Sequence, residues 1–288
     1  MNRRRFLQIT AAAALGGRAA GAKGAADWRG RAFGAEVAVS GLPETARAAL
    51  LAEIAAIEAT FSLYRESELT RLNAAGRGPG SAQMRAVLAL AGRVHAATGG
   101  AFDPTVGRLW AARAARAPEA EARAAIGFAR VEIGREIRLG PGQALTLNGV
   151  VQGYAADRVA ALLEAAGAGP CLIDMGEFVG LGGRFRLGVE DPAAGLLGAR
   201  EIGAGAPRAI ATSSPGAMRL GSGGHILGPQ GQTPRWSTVA VEGGGAALCD
   251  AASTGFVLME AGEIARARDA LGLGTVTLID AAGDLVTL

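Results

Sequence analysis

The chain has 288 residues, 50% of them hydrophobic and 19% charged, which supports one large core or two modest ones and excludes a largely disordered chain. The formal charge is only +3, part of it in the first few residues, and no basic patch interleaves with aromatic residues, which argues against a nucleic-acid partner. Cys171 and Cys249 make no CxxC pair, and two histidines give no zinc spacing. The cysteines read as two buried small side chains, with one disulfide as the alternative.

Met1-Asn2-Arg3-Arg4-Arg5-Phe6-Leu7 opens the chain, and an Ala-rich apolar run follows to Gly16. Arginines, Phe-Leu and small residues at Ala20-Gly21-Ala22 resemble a twin-arginine export signal, residues 1–22. The apolar run is too short to span a bilayer. The expectation is a periplasmic protein, residues 23–288, with no transmembrane segment in the mature chain.

Residues 32–40 alternate around Val37 and Val39 and predict a strand. A helix follows from Pro43, with Leu50, Ile54, Ile57 and Phe61 as one apolar stripe. Another turn starts at Ser67-Glu68-Leu69 and ends at Asn73, and 84–98 predicts a helix stopped by Gly99-Gly100. Residues 113–127 read as a polar, Ala-rich helix, and 131–147 as two strands around Gly140-Pro141-Gly142. A third amphipathic helix covers 153–167. Strands are expected at 171–175, 185–190, 208–212 and 238–241, helices at 250–260 and 264–271, and a closing hairpin from 275 to 288. Without a regular βαβ alternation the pattern favours α+β over a doubly wound sheet.

Four segments carry chemistry. In Cys249-Asp250-Ala251-Ala252-Ser253-Thr254, a helix places Asp250 and Thr254 one turn apart on one face. They read either as hard oxygen ligands for Mg²⁺ or as an N-cap Asp followed by an ordinary Thr. Gly100-Ala101-Phe102-Asp103-Pro104-Thr105 is a fixed-shape loop able to offer Asp103 to a ligand, or a plain Asp-Pro turn. Asn148-Gly149-Val150-Val151-Gln152-Gly153-Tyr154 is a Gly-bearing turn into a helix, suited to a diphosphate or cation, yet neither GxGxxG nor Walker A. Ala211-Thr212-Ser213-Ser214 with His225 downstream supplies hydroxyls and an imidazole. His95 reads as a helix-face residue.

The order of these pieces resembles the ApbE family of FAD:protein FMN transferases. Ser-x-Tyr-Arg-x-x-Ser-Glu-Leu, Gly-x-Phe-Asp-Pro-Thr-Val-Gly, Gly-Tyr-Ala-x-Asp, Ala-Thr-Ser, His-Ile-x-x-Pro and Asp-x-x-x-Thr follow one another from Ser62 to Thr254. The resemblance implies an α+β domain of mixed or antiparallel sheets with packed helices, two-lobed and related to the T-fold, with its site in a cleft between the lobes. It implies FAD as substrate, Mg²⁺, release of AMP, and a Thr or Ser of a target flavoprotein as acceptor. Asp250 and Thr254 then look like metal ligands, with the backbone of Val151 and Ser253 completing the set. Phe33, Tyr64, Ala101, Phe102, Asp103, Asn148, Tyr154 and His225 look like FAD contacts, and His225 or Asp157 like the catalytic base.

Gln152 stands where the family often has Lys, Thr146 where it commonly has Asp, Glu177 where it usually has a second Gly, and Ser214 where it has Gly. The Gly176-Glu177 form and the twin-arginine start resemble the NosX branch, which serves the flavoprotein of nitrous-oxide respiration. The alternatives are a periplasmic FAD carrier or assembly protein, and a pyrophosphatase that splits FAD into FMN and AMP.

Overall fold

A computed structural model of the chain describes residues 26–221 and 223–288; the expected export signal lies outside them. Strands β1 (Ala26–Ala32) and β2 (Ala35–Leu42) form a hairpin closed by Phe33-Gly34. Both turn residues have positive φ, 53° and 79°, the conformation that matches strand twist across a two-residue loop. For Phe33 this left-handed backbone is costly, so something other than local preference keeps an aromatic there.

Helix α1 (Arg47–Phe61) buries the predicted stripe of Leu50, Ile54, Ile57 and Phe61. Then come α2 (Glu68–Ala75), capped by Ser67, β3 (Arg77–Pro79), and α3 (Ala82–Ala97), capped by Ser81. The expected 113–127 helix is instead two pieces, α4 (Gly107–Ala115) and α5 (Ala120–Ala124). Arg116 turns left-handed at φ 55°, and Pro118 cannot continue a helix across the break.

The 131–147 segment also departs from expectation. Its hairpin, β4 (Glu132–Ile133) and β5 (Glu136–Arg138), turns at Gly134-Arg135 rather than at Gly140-Pro141-Gly142. Residues 143–147 are not a strand. The Asn73 amide replaces a strand neighbour there, accepting from Leu145 N at 2.8 Å and donating to Leu145 O at 2.9 Å.

Next are α6 (Val151–Ala165), β6 (Cys171–Asp174), β7 (Phe178–Leu181), β8 (Arg184–Asp191), β9 (Gly195–Gly203) and β10 (Ala209–Ser213). Short β11 (Arg219–Leu220) and β12 (Gly223–Gly224) lead to β13 (Thr238–Gly243). The chain ends with α7 (Ala246–Phe256), α8 (Ala261–Leu271), β14 (Val276–Ile279) and β15 (Leu285–Thr287).

Eight strands form one sheet in the order β1-β2-β6-β7-β10-β13-β14-β15, antiparallel at every junction. The α+β expectation therefore holds. Helices α1, α6 and α7 share the main core with one face, through residues such as Val39, Ile173, Ala211 and Val241. The β8–β9 ribbon covers the other face with Leu187, Val189 and Ile202 against Phe178, Ile210 and Ala240. The central strands β10, β13 and β14 are consequently buried on both sides. No helix among the described residues is long and apolar enough to cross a membrane. Both cysteines are buried free thiols, which removes the disulfide alternative.

Candidate active site

Helix α7 reads Ala-Ala-Leu-Cys-Asp-Ala-Ala-Ser-Thr-Gly-Phe, almost entirely small, and nine of its eleven residues are buried. Small side chains let it lie close to α6 and to β10. At Gly153 the two helices nearly touch. A Cβ there would collide with Ala246 O and fall 2.5 Å from the Ala246 carbonyl carbon and 2.7 Å from the Ala247 Cα. Gly149 is similarly tight against Thr254, whose Oγ1 would lie 2.6 Å from an added Cβ. These two glycines bring the turn into α6 onto the polar face of α7.

Asp250 sits on that face, only 3% exposed. It is in the second turn of α7, not at the N-cap, because the helix begins four residues earlier than expected, at Ala246. One of its oxygens accepts from Gly153 N at 3.0 Å. Burial pushes its carboxyl up to about 7. Thr254 follows one turn on, its Oγ1 3.3 Å from Ser213 Oγ at the end of β10.

Asp250 and Thr254 open onto a cleft of about 1460 Å³, counting its mouth. Phe33 and the end of α1 (Phe61 to Tyr64) form one wall, and the 101–106 loop with Trp110 forms another. The 146–152 turn, Glu177, the end of β10 and Ala217, Met218 and His225 complete it. The strained Phe33 thus has its place on the cleft wall. Among the described residues, four carboxylates line the cleft (Glu58, Asp103, Glu177 and Asp250), and no Lys or Arg does. Among the described residues no three His, Cys, Asp or Glu side chains form a ready metal cage. A hard cation would have to be held by Asp250, by hydroxyl or backbone oxygens such as those of Thr254 and Val151, and by its own ligand's phosphates, which suits Mg²⁺.

Of the residues expected to touch FAD, Phe33, Tyr64, Ala101, Phe102, Asp103, Asn148 and His225 line this cleft. Tyr64 is 62% exposed and stands at the mouth. Asp103 has its oxygens engaged within the protein: Oδ1 accepts from Thr105 N and Oγ1 at 2.8 and 2.5 Å, and Oδ2 from Phe128 N at 3.1 Å. It holds the loop in shape rather than offering a free carboxylate. His95 assists by bonding Phe102 O through Nδ1 at 2.9 Å, a role its helix position did not suggest. His225 Nδ1 is buried without a hydrogen-bond partner among the described residues, and burial lowers the imidazole's pKa against the opposing pull of the Pro215 and Met218 backbone. A buried ring nitrogen without a partner among the described residues, on the wall of a cleft, fits a polar ligand.

Two expectations need correction, Tyr154 as an FAD contact and Asp157 as the base. Tyr154 is not on the cleft; its ring packs edge-on against Phe61, 5.7 Å between centroids, and so backs the wall. Ser253, expected to serve a metal through its backbone, has its side chain spent on the β10–α7 junction, the hydroxyl 2.8 Å from Ser213 Oγ and 3.0 Å from Asp250 O. Asp157 accepts from Ala246 N and Ala247 N at 2.8 and 2.9 Å. It caps α7 from α6, and both oxygens are occupied, which removes it as a base. Replacing Asp157 with Ala should lower stability by about 1–2 kcal/mol, the value of a lost helix cap. Urea unfolding measures this, and a change below a few tenths would contradict the capping role.

Sequence reasoning passed over Trp110, Glu58 and Met218 on the cleft and noted Glu177 only as a departure. Behind the site, Asp191 accepts from Ser237 Oγ and Thr238 Oγ1, each at 2.7 Å, and Thr238 Oγ1 lies 2.7 Å from Ser214 Oγ. This chain of hydroxyls ties the β8–β9 ribbon to the end of β10.

Comparison with known proteins agrees with this architecture. A search of solved structures finds the flavin transferase ApbE from Vibrio cholerae at a TM-score of 0.76 and 22% identity, covering 92% of this chain and 97% of that one. The flavinyl transferase ApbE of Pseudomonas stutzeri, in its apo form, superposes at 0.75 with 22% identity, covering 92% and 93%. The ApbE protein of Thermotoga maritima superposes at 0.78 with 21% identity, covering 91% and 96%. No curated protein matches significantly by sequence. The ApbE family model matches residues 32–274, nearly the whole described chain, and the protein therefore belongs to the ApbE family.

Proposed function

We propose that the protein transfers FMN from FAD to a Thr or Ser hydroxyl of a target protein and releases AMP, with Mg²⁺ as the metal. The observation that carries this is the Asp250–Thr254 pair, one turn apart on α7 with Asp250 buried, on a deep cleft whose described lining residues include no Lys or Arg to meet a diphosphate. Membership of the family and likeness to structures named flavin transferases support the same reading.

The acceptor oxygen attacks the phosphorus of the FMN half, the bond from that phosphorus to the bridging oxygen breaks, and AMP departs with that oxygen. Mg²⁺, when bound, supplies the positive charge that offsets charge gathering on the phosphoryl oxygens. The chain's own residues do the rest. Asp250 and Thr254 offer oxygens to the ion, Phe33 and Phe102 give apolar walls, and Tyr64 stands where a protein acceptor must enter. The hydroxyl proton needs a base. His225 lies on the cleft with a ring nitrogen that has no partner among the described residues, and we assign it the role of taking that proton.

The twin-arginine start supports periplasmic action on a membrane or periplasmic redox protein, and the Gly176-Glu177 form supports the nitrous-oxide respiration flavoprotein as that target. Incubation with FAD, Mg²⁺ and a domain bearing an acceptor threonine should add one FMN mass to the acceptor and release one AMP. EDTA should abolish both. FAD retained without AMP release would replace this proposal with a carrier role, and AMP without a modified acceptor with a pyrophosphatase.

A further inference from the structure

Glu177 is, with Asp250, one of two buried cleft carboxylates that each accept a single backbone hydrogen bond. It leaves the β6–β7 turn only 4% exposed and lines the cleft beside the α7 face. One oxygen accepts from Thr212 N at 2.9 Å, a single neutral donor. The charged groups that act on it are Asp250 and Asp174, both acidic. Its position is enforced. Gly176, just before it, has φ +98°, and a Cβ there would fall 2.6 Å from both Cδ and Nε2 of Gln152. The turn is thus pinned under a neutral amide.

Glu58, by contrast, pairs with Arg65, and Asp103 accepts three hydrogen bonds, two from Thr105 and one from Phe128 N. Two buried carboxylates that line one cleft with no Lys or Arg among its described lining residues are costly in a folded protein, and a cation is the usual remedy.

We infer that Glu177 is a second acidic determinant of the divalent-cation site, acting with Asp250 to draw the ion into the cleft before any phosphate arrives. This rests on the proposed metal-dependent transfer, and it adds to it a protein residue that sets affinity for the free ion. Two carboxylates plus hydroxyl and backbone oxygens make a donor set of the kind Mg²⁺ accepts, with water and substrate filling the remainder.

The test is calorimetric titration of the full chain with Mg²⁺ alone, without FAD, for wild type, Glu177→Gln and Asp250→Asn. Glu177→Gln keeps the shape and an acceptor for Thr212 N. It should bind Mg²⁺ about tenfold more weakly, show an undiminished melting temperature without metal, and gain less from added Mg²⁺. Unchanged affinity in Glu177→Gln beside weakened affinity in Asp250→Asn would overturn the role of Glu177 and leave the transferase proposal standing. Absence of uptake by wild type would overturn it as well, whatever the transfer assay gives. Should Glu177→Gln fail to fold, Glu177→Gly is read by the same criterion.

Discussion

Gly153→Ala is expected to cost about 3 kcal/mol or more, and to leave little folded protein at 37 °C. One methyl group does this because of what it meets. The added Cβ would fall on the Ala246 carbonyl and the Ala247 Cα, which are backbone atoms that no rotamer change can move aside. Helix α7 cannot retreat, since its other faces pack on β10 and β13 through Ala, Cys and Ser. The shift would also pull Gly153 N from Asp250 and Asp157 from the start of α7. Gly169→Ala is the control, because an added Cβ there meets nothing within 4 Å. Urea denaturation of both variants decides the matter: a Gly153→Ala midpoint matching that of Gly169→Ala would show that the α6–α7 crossing can open, contrary to this packing.

The same crossing explains what could and could not be read from the sequence. Stripes of large side chains, as in α1 and α3, are legible because their spacing is local. The start of α7 was placed four residues late because Ala246, Ala247 and Leu248 carry no start signal of their own. The cap comes from Asp157, 89 positions earlier. That distant duty also made Asp157 look like a free carboxylate. Strand β7 is four residues behind a Gly-Glu turn, and β9 lacks clean alternation, so neither stood out. The candidate site was legible as a set, since Phe33, Tyr64, Asn148, His225, Asp250 and Thr254 do meet around one cleft. Which members face it is a matter of side-chain direction. Tyr154 packs on Phe61 and the Ser253 hydroxyl on Ser213, and neither side chain lines the cleft that nearby Gln152 and Thr254 do.

Asp250→Asn should separate function from stability at this site. Asn keeps the size of Asp and an oxygen for Gly153 N, so α6 and α7 stay in register. What it loses is an ionisable carboxyl, 3% exposed, with no Lys or Arg among the described residues that line the cleft. FMN transfer should fall on the order of 10²–10³-fold, the equivalent of the several kcal/mol that a bound metal contributes to phosphoryl chemistry. The metal-free variant should melt no lower than wild type, because an unpaired buried carboxylate opposes folding. Thr254→Val removes one oxygen at constant shape and should give a smaller loss, about tenfold, since a neutral ligand contributes less than an anionic one. Transfer rates by acceptor mass and melting curves with and without Mg²⁺ supply both axes. A parallel loss of activity and stability in Asp250→Asn would mean that the carboxylate is a structural element of the α6–α7 junction. Activity lost while stability is kept or gained would mean that the fold tolerates this charge for the sake of the ion it holds.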